Sequence, residues 1–182
     1  MEKKLYTLIV HSENIAGLLN QITSAFTRRQ INIESLNVSA SSIEGIHRYT
    51  ITTWTDEGTI ARVTRQIEKK VDVLKANYYT DDEIFIQDIA LYKLSSPMML
   101  NNKAITETIR RYNASIIEVN TVYCVLEKSG STEEIQALNR ELSLYGCLLQ
   151  YVSSGRIAVT KSNAEQVTAF LESLRAHEKQ NT

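Results

Sequence analysis

The chain has 182 residues, 43 % apolar and 23 % charged, and its 20 Lys and Arg against 21 Asp and Glu leave a net charge of −1. These values suit a globular chain that buries a core, in one domain or two small ones, and they lack the basic surplus of a nucleic-acid binder. Two cysteines without CxxC spacing, no run near the ~20 apolar residues of a membrane helix, and a charged start at Met1-Glu2-Lys3-Lys4 predict a soluble cytoplasmic protein with no membrane contact.

Leu5 to Val10 is dense in β-branched, aromatic and leucine residues and predicts a strand. Asn14-Ile15-Ala16-Gly17-Leu18-Leu19 follows, where strand should give way to helix. An Asn caps helix starts, a Gly there lets a ligand approach free backbone N–H groups, and the helix dipole favours a carboxylate. From Gly17 to Arg29 the residues Leu18, Leu19, Ile22, Ala25 and Phe26 fall on one helical face, closed by Arg28 and Arg29. Asn32 to Ala40 predicts a half-buried strand, Ser41 to Gly45 a turn, and Ile46 to Trp54 the returning strand of a hairpin. A helix from Thr59 to Lys70 points Ile60, Val63 and Ile67 inward, and Val71 to Tyr79 closes the unit as a fourth strand. The order is βαββαβ.

The acidic run Thr80-Asp81-Asp82-Glu83 separates two halves, giving expected domains over 1–79 and 80–182. The second half repeats the order: a strand from Ile84 to Leu94, a helix marked by Ile105, Ile109 and Tyr112, and a hairpin of Ser115–Val119 and Val122–Glu127. Ser131 with Glu134 is a capping-box signature for a helix carrying Ile135, Leu138, Leu142 and Tyr145. Leu148–Val152 and Arg156–Thr160 are strands around Ser153-Ser154-Gly155. A last helix from Ser162, with Glu165 as capping partner, carries Val167, Phe170, Leu171 and Leu174. The expected fold class is α+β, two ferredoxin-like βαββαβ sandwiches in tandem. Helices on one side of each sheet leave an open face or edge, a physical reason to expect a homodimer.

The βαββαβ order does not fix function, so residues must decide. An RNA-recognition module needs stacking aromatics and a glycine in its third strand, and His47-Arg48-Tyr49-Thr50-Ile51 lacks that spacing. An acylphosphatase-like enzyme needs an Arg in the first loop, which here is the acidic Ser12-Glu13-Asn14-Ile15-Ala16-Gly17. A metal carrier needs paired cysteines there, and none occur. His11, His47 and His177 have no carboxylate or cysteine at ligand spacing. Asn14 and Asn32 each have an ordinary reading, as a helix cap and a turn residue. Together with Gly17 and Ile33, and with no acid, base or nucleophile beside them, they point to binding of a small anion-bearing molecule rather than turnover.

Glu13-Asn14-x-x-Gly17-x-Leu19, with Arg28-Arg29-x-x-Asn32-Ile33-Glu34-Ser35-Leu36-x-Val38, resembles the N-terminal ACT domain of the small regulatory subunit of acetolactate synthase (acetohydroxyacid synthase). Val71-Asp72-Val73-Leu74 also fits that pattern, while Asp88 to Leu94 and Ser154 to Val159 only approximate it. The resemblance implies a non-catalytic homodimeric subunit that activates a catalytic large subunit. It implies thiamine diphosphate, Mg and FAD in that partner and no cofactor in this chain. It further implies feedback inhibition by a branched-chain amino acid, valine in most of the family. By resemblance, Asn14, Gly17 and Leu19 of one chain face Asn32 and Ile33 of the other around that effector. Two departures stand out: Gln30 replaces the family's Gly before the Asn-Ile strand, and Tyr151-Val152-Ser153-Ser154-Gly155 replaces an Arg-rich stretch. The alternative is a stand-alone ACT-domain amino-acid sensor without an enzyme partner.

Overall fold

Strand β1 (Lys4–Glu13) buries Leu8 and Val10 on one face because α1 (Leu18–Thr27) brings Leu18, Ile22, Ala25 and Phe26 down onto them. The chain, seen in a computed structural model that describes residues 2–162 and 167–171, continues through β2 (Ser35–Ala40), β3 (Ile46–Thr55), α2 (Glu57–Glu68) and β4 (Val73–Tyr79). The sheet order is β2-β3-β1-β4, antiparallel between neighbours. Leu8 lies opposite Ile51, and Val10 opposite Tyr49 and Ala76. Val63 and Ile67 of α2 complete this core, each fully buried side chain contributing about 1.5–3 kcal/mol.

The second half runs β5 (Ile84–Ser95), α3 (Ser96–Asn101), α4 (Lys103–Arg111), β6 (Ser115–Val119), β7 (Tyr123–Gly130), α5 (Thr132–Leu144), β8 (Leu148–Ser153) and β9 (Ile157–Thr160). Its sheet order, β6-β7-β5-β8, repeats the first, with β9 also paired to β5. Ala90, Tyr92, Leu94, Cys124 and Leu126 pack against Ile105, Ile109, Ile135, Leu138 and Leu142. The expected tandem of ferredoxin-like sandwiches is present. The molecule forms two compact units: residues up to Phe85 with the described residues from Ala158, and Ile86–Ile157.

Several expectations change. The outer face of the first sheet is closed: Thr7, Ile9, His11, Thr50 and Thr52 are all buried, and Arg48 on that face donates to the Ala158 carbonyl. What stays open there is the β2 edge, whose residues are half-buried or exposed. Strand β2 begins at Ser35, not Asn32, and β4 at Val73, leaving Val71 exposed. Helix α2 starts at Glu57 because the Asp56 carboxylate accepts the Thr59 N–H at 3.0 Å. Helix α3 was not expected; Pro97 in its first turn suits a helix start, where its missing N–H is not needed. The capping box of Ser131 and Glu134 forms as expected. Residues 167–171 are helical, while Glu165 and Leu174 of the expected last helix lie outside the described residues.

Candidate functional site

The end of β1 is tied into the sheet by its backbone. Glu13 N–H donates to the Asp72 carbonyl at 3.0 Å and Asn14 N–H to the Gly45 carbonyl at 3.2 Å. The chain then turns tightly, with Ile15 N–H on the Glu13 carbonyl and Leu18 N–H on the Ile15 carbonyl. Gly17 occupies the N-cap position with φ 86, and no side chain caps α1. The expected Asn14 cap is therefore absent, because Asn14 lies three residues ahead of the capping position. A Cβ on Gly17 would meet nothing within 4 Å. The left-handed backbone favours glycine, and the space above it is free.

Gln21 N–H to the Gly17 carbonyl is the first helical bond, so Leu19 and Asn20 have N–H groups without an acceptor inside the helix. The first turn holds no acidic side chain. Leu19 and Ile15 are 42 % and 44 % exposed, beside those donors. This corner offers N–H donors, the positive end of α1, the exposed Asn14 amide and apolar surface. That set matches an amino acid's carboxylate and aliphatic side chain.

Asn32 and Ile33 lie elsewhere. Thr53 Oγ1 donates to the Asn32 carbonyl at 2.7 Å, and Glu34 N–H to the Thr52 carbonyl at 2.8 Å. Asn32 is exposed, while Ile33 is half-buried against the first core. Thr53 sits opposite Tyr6 on β1, whereas Asn14 follows Glu13, which sits opposite Ile46. The stretch from Tyr6 to Glu13 spans about 23 Å of strand. One chain therefore groups Asn14, Gly17 and Leu19 at one end of the sheet and Asn32 and Ile33 at the other.

A second polar cluster went unnoticed in the sequence. Asp88 is buried, and its carboxylate accepts from Ser153 Oγ at 2.8 and 2.9 Å and from Ser154 Oγ at 3.0 Å. Gly155 N–H donates to Ser153 Oγ, so the cluster fastens the β8–β9 junction to β5. The available signal was a carboxylate on the inward parity of Ala90 and Tyr92. Cys124 and Cys147 are free and buried, and burial pushes both thiols up, away from a reactive thiolate. Among the described residues no group of three or more His, Cys, Asp and Glu side chains could hold a metal ion, and no helix is long and apolar enough to cross a membrane.

Known proteins share both halves. A family described as the small subunit of acetolactate synthase matches residues 87–162, and the AHAS small subunit-like ACT domain matches residues 8–75. The acetolactate synthase small subunit of Bacillus subtilis is 30 % identical over 168 residues, covering 92 % of this chain and 95 % of that protein. The one from Mycolicibacterium smegmatis is 29 % identical over 156 residues, covering 86 % and 91 %. The crystal structure of the acetolactate synthase small subunit from Thermotoga maritima superposes with a TM-score of 0.78 at 21 % identity, covering 88 % of this chain and 99 % of that one, and so shares the fold.

Proposed function

This chain belongs to the acetolactate synthase small-subunit family, and from that premise we propose that it regulates the catalytic large subunit in response to a branched-chain amino acid, valine foremost. The large subunit supplies thiamine diphosphate, magnesium and FAD chemistry; this chain supplies activation and the effector site. The observation that carries the reading is the open corner at Gly17, with N–H donors and no competing carboxylate in the first turn.

The separation of the two Asn residues supports a site shared between copies. Edge strand β2, Ser-Leu-Asn-Val-Ser-Ala, has neither charge nor proline to block pairing. Two copies joined antiparallel along β2 set the start of one strand beside the end of the other. The start adjoins Asn32 and Ile33, and the end leads to Gly45, on which Asn14 is hydrogen-bonded. The halves of the pocket then meet, with the carboxylate on the α1 donors, the amides of Asn14 and Asn32 orienting the ligand, and Leu19 and Ile33 lining its side chain.

Inhibition curves of the reconstituted enzyme test this. Asn14→Ala removes an orienting amide, and Gly17→Asp adds negative charge with a residue that tolerates positive φ. Each should raise the valine concentration for half-inhibition roughly ten- to a hundredfold, the weight of one hydrogen bond to a charged group, while leaving activation intact. Unchanged curves in both variants would move the effector site elsewhere.

A further inference from the structure

Helix α2 buries Ile60, Val63, Thr64 and Ile67, and the opposite stripe carries Arg62, Arg65, Gln66 and Lys69. Spacings of three, four and seven place these residues on one face. Arg29, just past the end of α1, joins them around a shallow hollow of about 400 Å³. Among the described residues no carboxylate lines it. Glu68, their neighbour in sequence, is held by Lys75 Nζ at 2.6 Å.

Arg62 feels the nearby Asp56 carboxylate, and the hydrogen bonds that hold the guanidiniums go to neutral acceptors. Arg29 donates to the Ala25 carbonyl and to Gln66 Oε1, Arg62 to Thr59 Oγ1 at 2.9 Å, and Arg65 to the Ala61 carbonyl at 3.3 Å. A guanidinium has five N–H donors, so each keeps most of them for another partner. Among the described residues none of these four cations forms a salt bridge. In a chain of net charge −1 this is a concentrated positive field.

The fold does not need it, since α2 is anchored by its opposite stripe. The hollow is shallow and open, and its described lining of Arg29, Arg62, Arg65, Gln66 and Lys69 includes no glycine-rich loop that would enclose a compact anion. Lys69 also caps the C-terminus of α2, whose carbonyl end disfavours a small anion beside it. The row from Arg62 to Lys69 runs about 10 Å along the helix, which suits an extended acidic surface.

We propose that this stripe docks an acidic stretch of the catalytic large subunit, an inference that rests on the regulatory reading above. Its cations draw the partner in and set the salt dependence of assembly. Glutamine at Arg62, Arg65 and Lys69 keeps helix propensity and removes three charges. Binding of this triple variant (R62Q/R65Q/K69Q) to the purified large subunit of the same organism should be roughly ten- to a hundredfold weaker at low ionic strength, the summed weight of three exposed charge contacts. The wild type should lose that advantage as salt rises, and the variant should have a flatter salt slope. Variant affinity and salt slope equal to those of a wild type that binds and activates would overturn the docking surface and leave the regulatory reading standing. A wild type that neither binds nor activates would overturn both. Tight tripolyphosphate binding lost in the variant, with large-subunit affinity unchanged, would make the hollow a small-anion site instead.

Discussion

Gln30, which stands where the resemblance implies a Gly, takes a left-handed backbone angle. Gln30 has φ 54, and the bonds from Gln30 N–H to the Thr27 carbonyl and Ile31 N–H to the Phe26 carbonyl close a Schellman turn around it. The second unit ends α4 the same way. Asn113 has φ 51, with Asn113 N–H on the Arg110 carbonyl and Ala114 N–H on the Ile109 carbonyl. Asparagine tolerates this conformation and glycine meets no penalty in it, but glutamine carries a Cβ clash of roughly 1–2 kcal/mol. Restoring glycine returns part of that, less the entropy glycine adds to the unfolded chain. Gln30→Gly should therefore stabilise the protein by roughly 0.5–1 kcal/mol, read as a higher urea midpoint at unchanged slope. No rise in the midpoint would mean that the glutamine side chain offsets its own strain. The need for a left-handed residue was legible in the sequence through the resemblance, which implies a Gly where this chain has Gln30. The absent Asn14 cap was not, since only the φ of Gly17 decides which residue holds the capping position.

The helices differ in how they begin, and this difference has a pH signature. The hydrogen bond from Thr59 is the main influence holding the Asp56 carboxyl below the usual carboxylate range. Its folded pKa is thus lower than its unfolded one. The stabilisation is complete above the unfolded value and is lost as pH falls through the folded value. Asp56→Asn keeps a capping oxygen without the titration. The variant's stability should fall less steeply than the wild type's over that acidic window, as followed by urea midpoints against pH. Parallel curves would remove the cap from the acid response. At this scale the sequence is mostly legible, because helices and strands here are patterned by local burial: the α1 stripe of Leu18, Ile22 and Phe26 and the capping box at Ser131 are visible by eye. What stays hidden depends on distant chain. Thr7, Ile9 and Thr50 lie on the sheet face turned away from the Leu8 and Val10 core yet are buried, and the Arg48 bond to the Ala158 carbonyl joins residues 110 apart. Asp88 is likewise explained only by Ser153 and Ser154, which come back to it from 65 and 66 residues away.

For the whole molecule, the proposed effector site, with its two Asn residues at opposite ends of one sheet, makes effector binding a property of the pair. A single chain presents either the Asn14 corner or the Asn32 end to a given ligand, about 23 Å of β1 apart. If the pocket closes only across a β2–β2 contact, the ligand binds the dimer in preference to the monomer, and linkage requires it to tighten the dimer by the same factor. Valine affinity measured by calorimetry should then weaken as the protein is diluted towards its dimer dissociation constant. Sedimentation should show added valine shifting the same sample towards dimer. Asn32→Ala should weaken binding as Asn14→Ala does, although the two lie at opposite ends of one sheet. Val38→Lys should act on both measurements at once, because a charge on the bare edge opposes strand pairing without touching either half of the pocket. Those effects separate a shared site from a local one: a pocket built at the Gly17 corner alone would keep its affinity on dilution and in Val38→Lys, and valine bound tightly to a proven monomer would rule out the β2-joined arrangement.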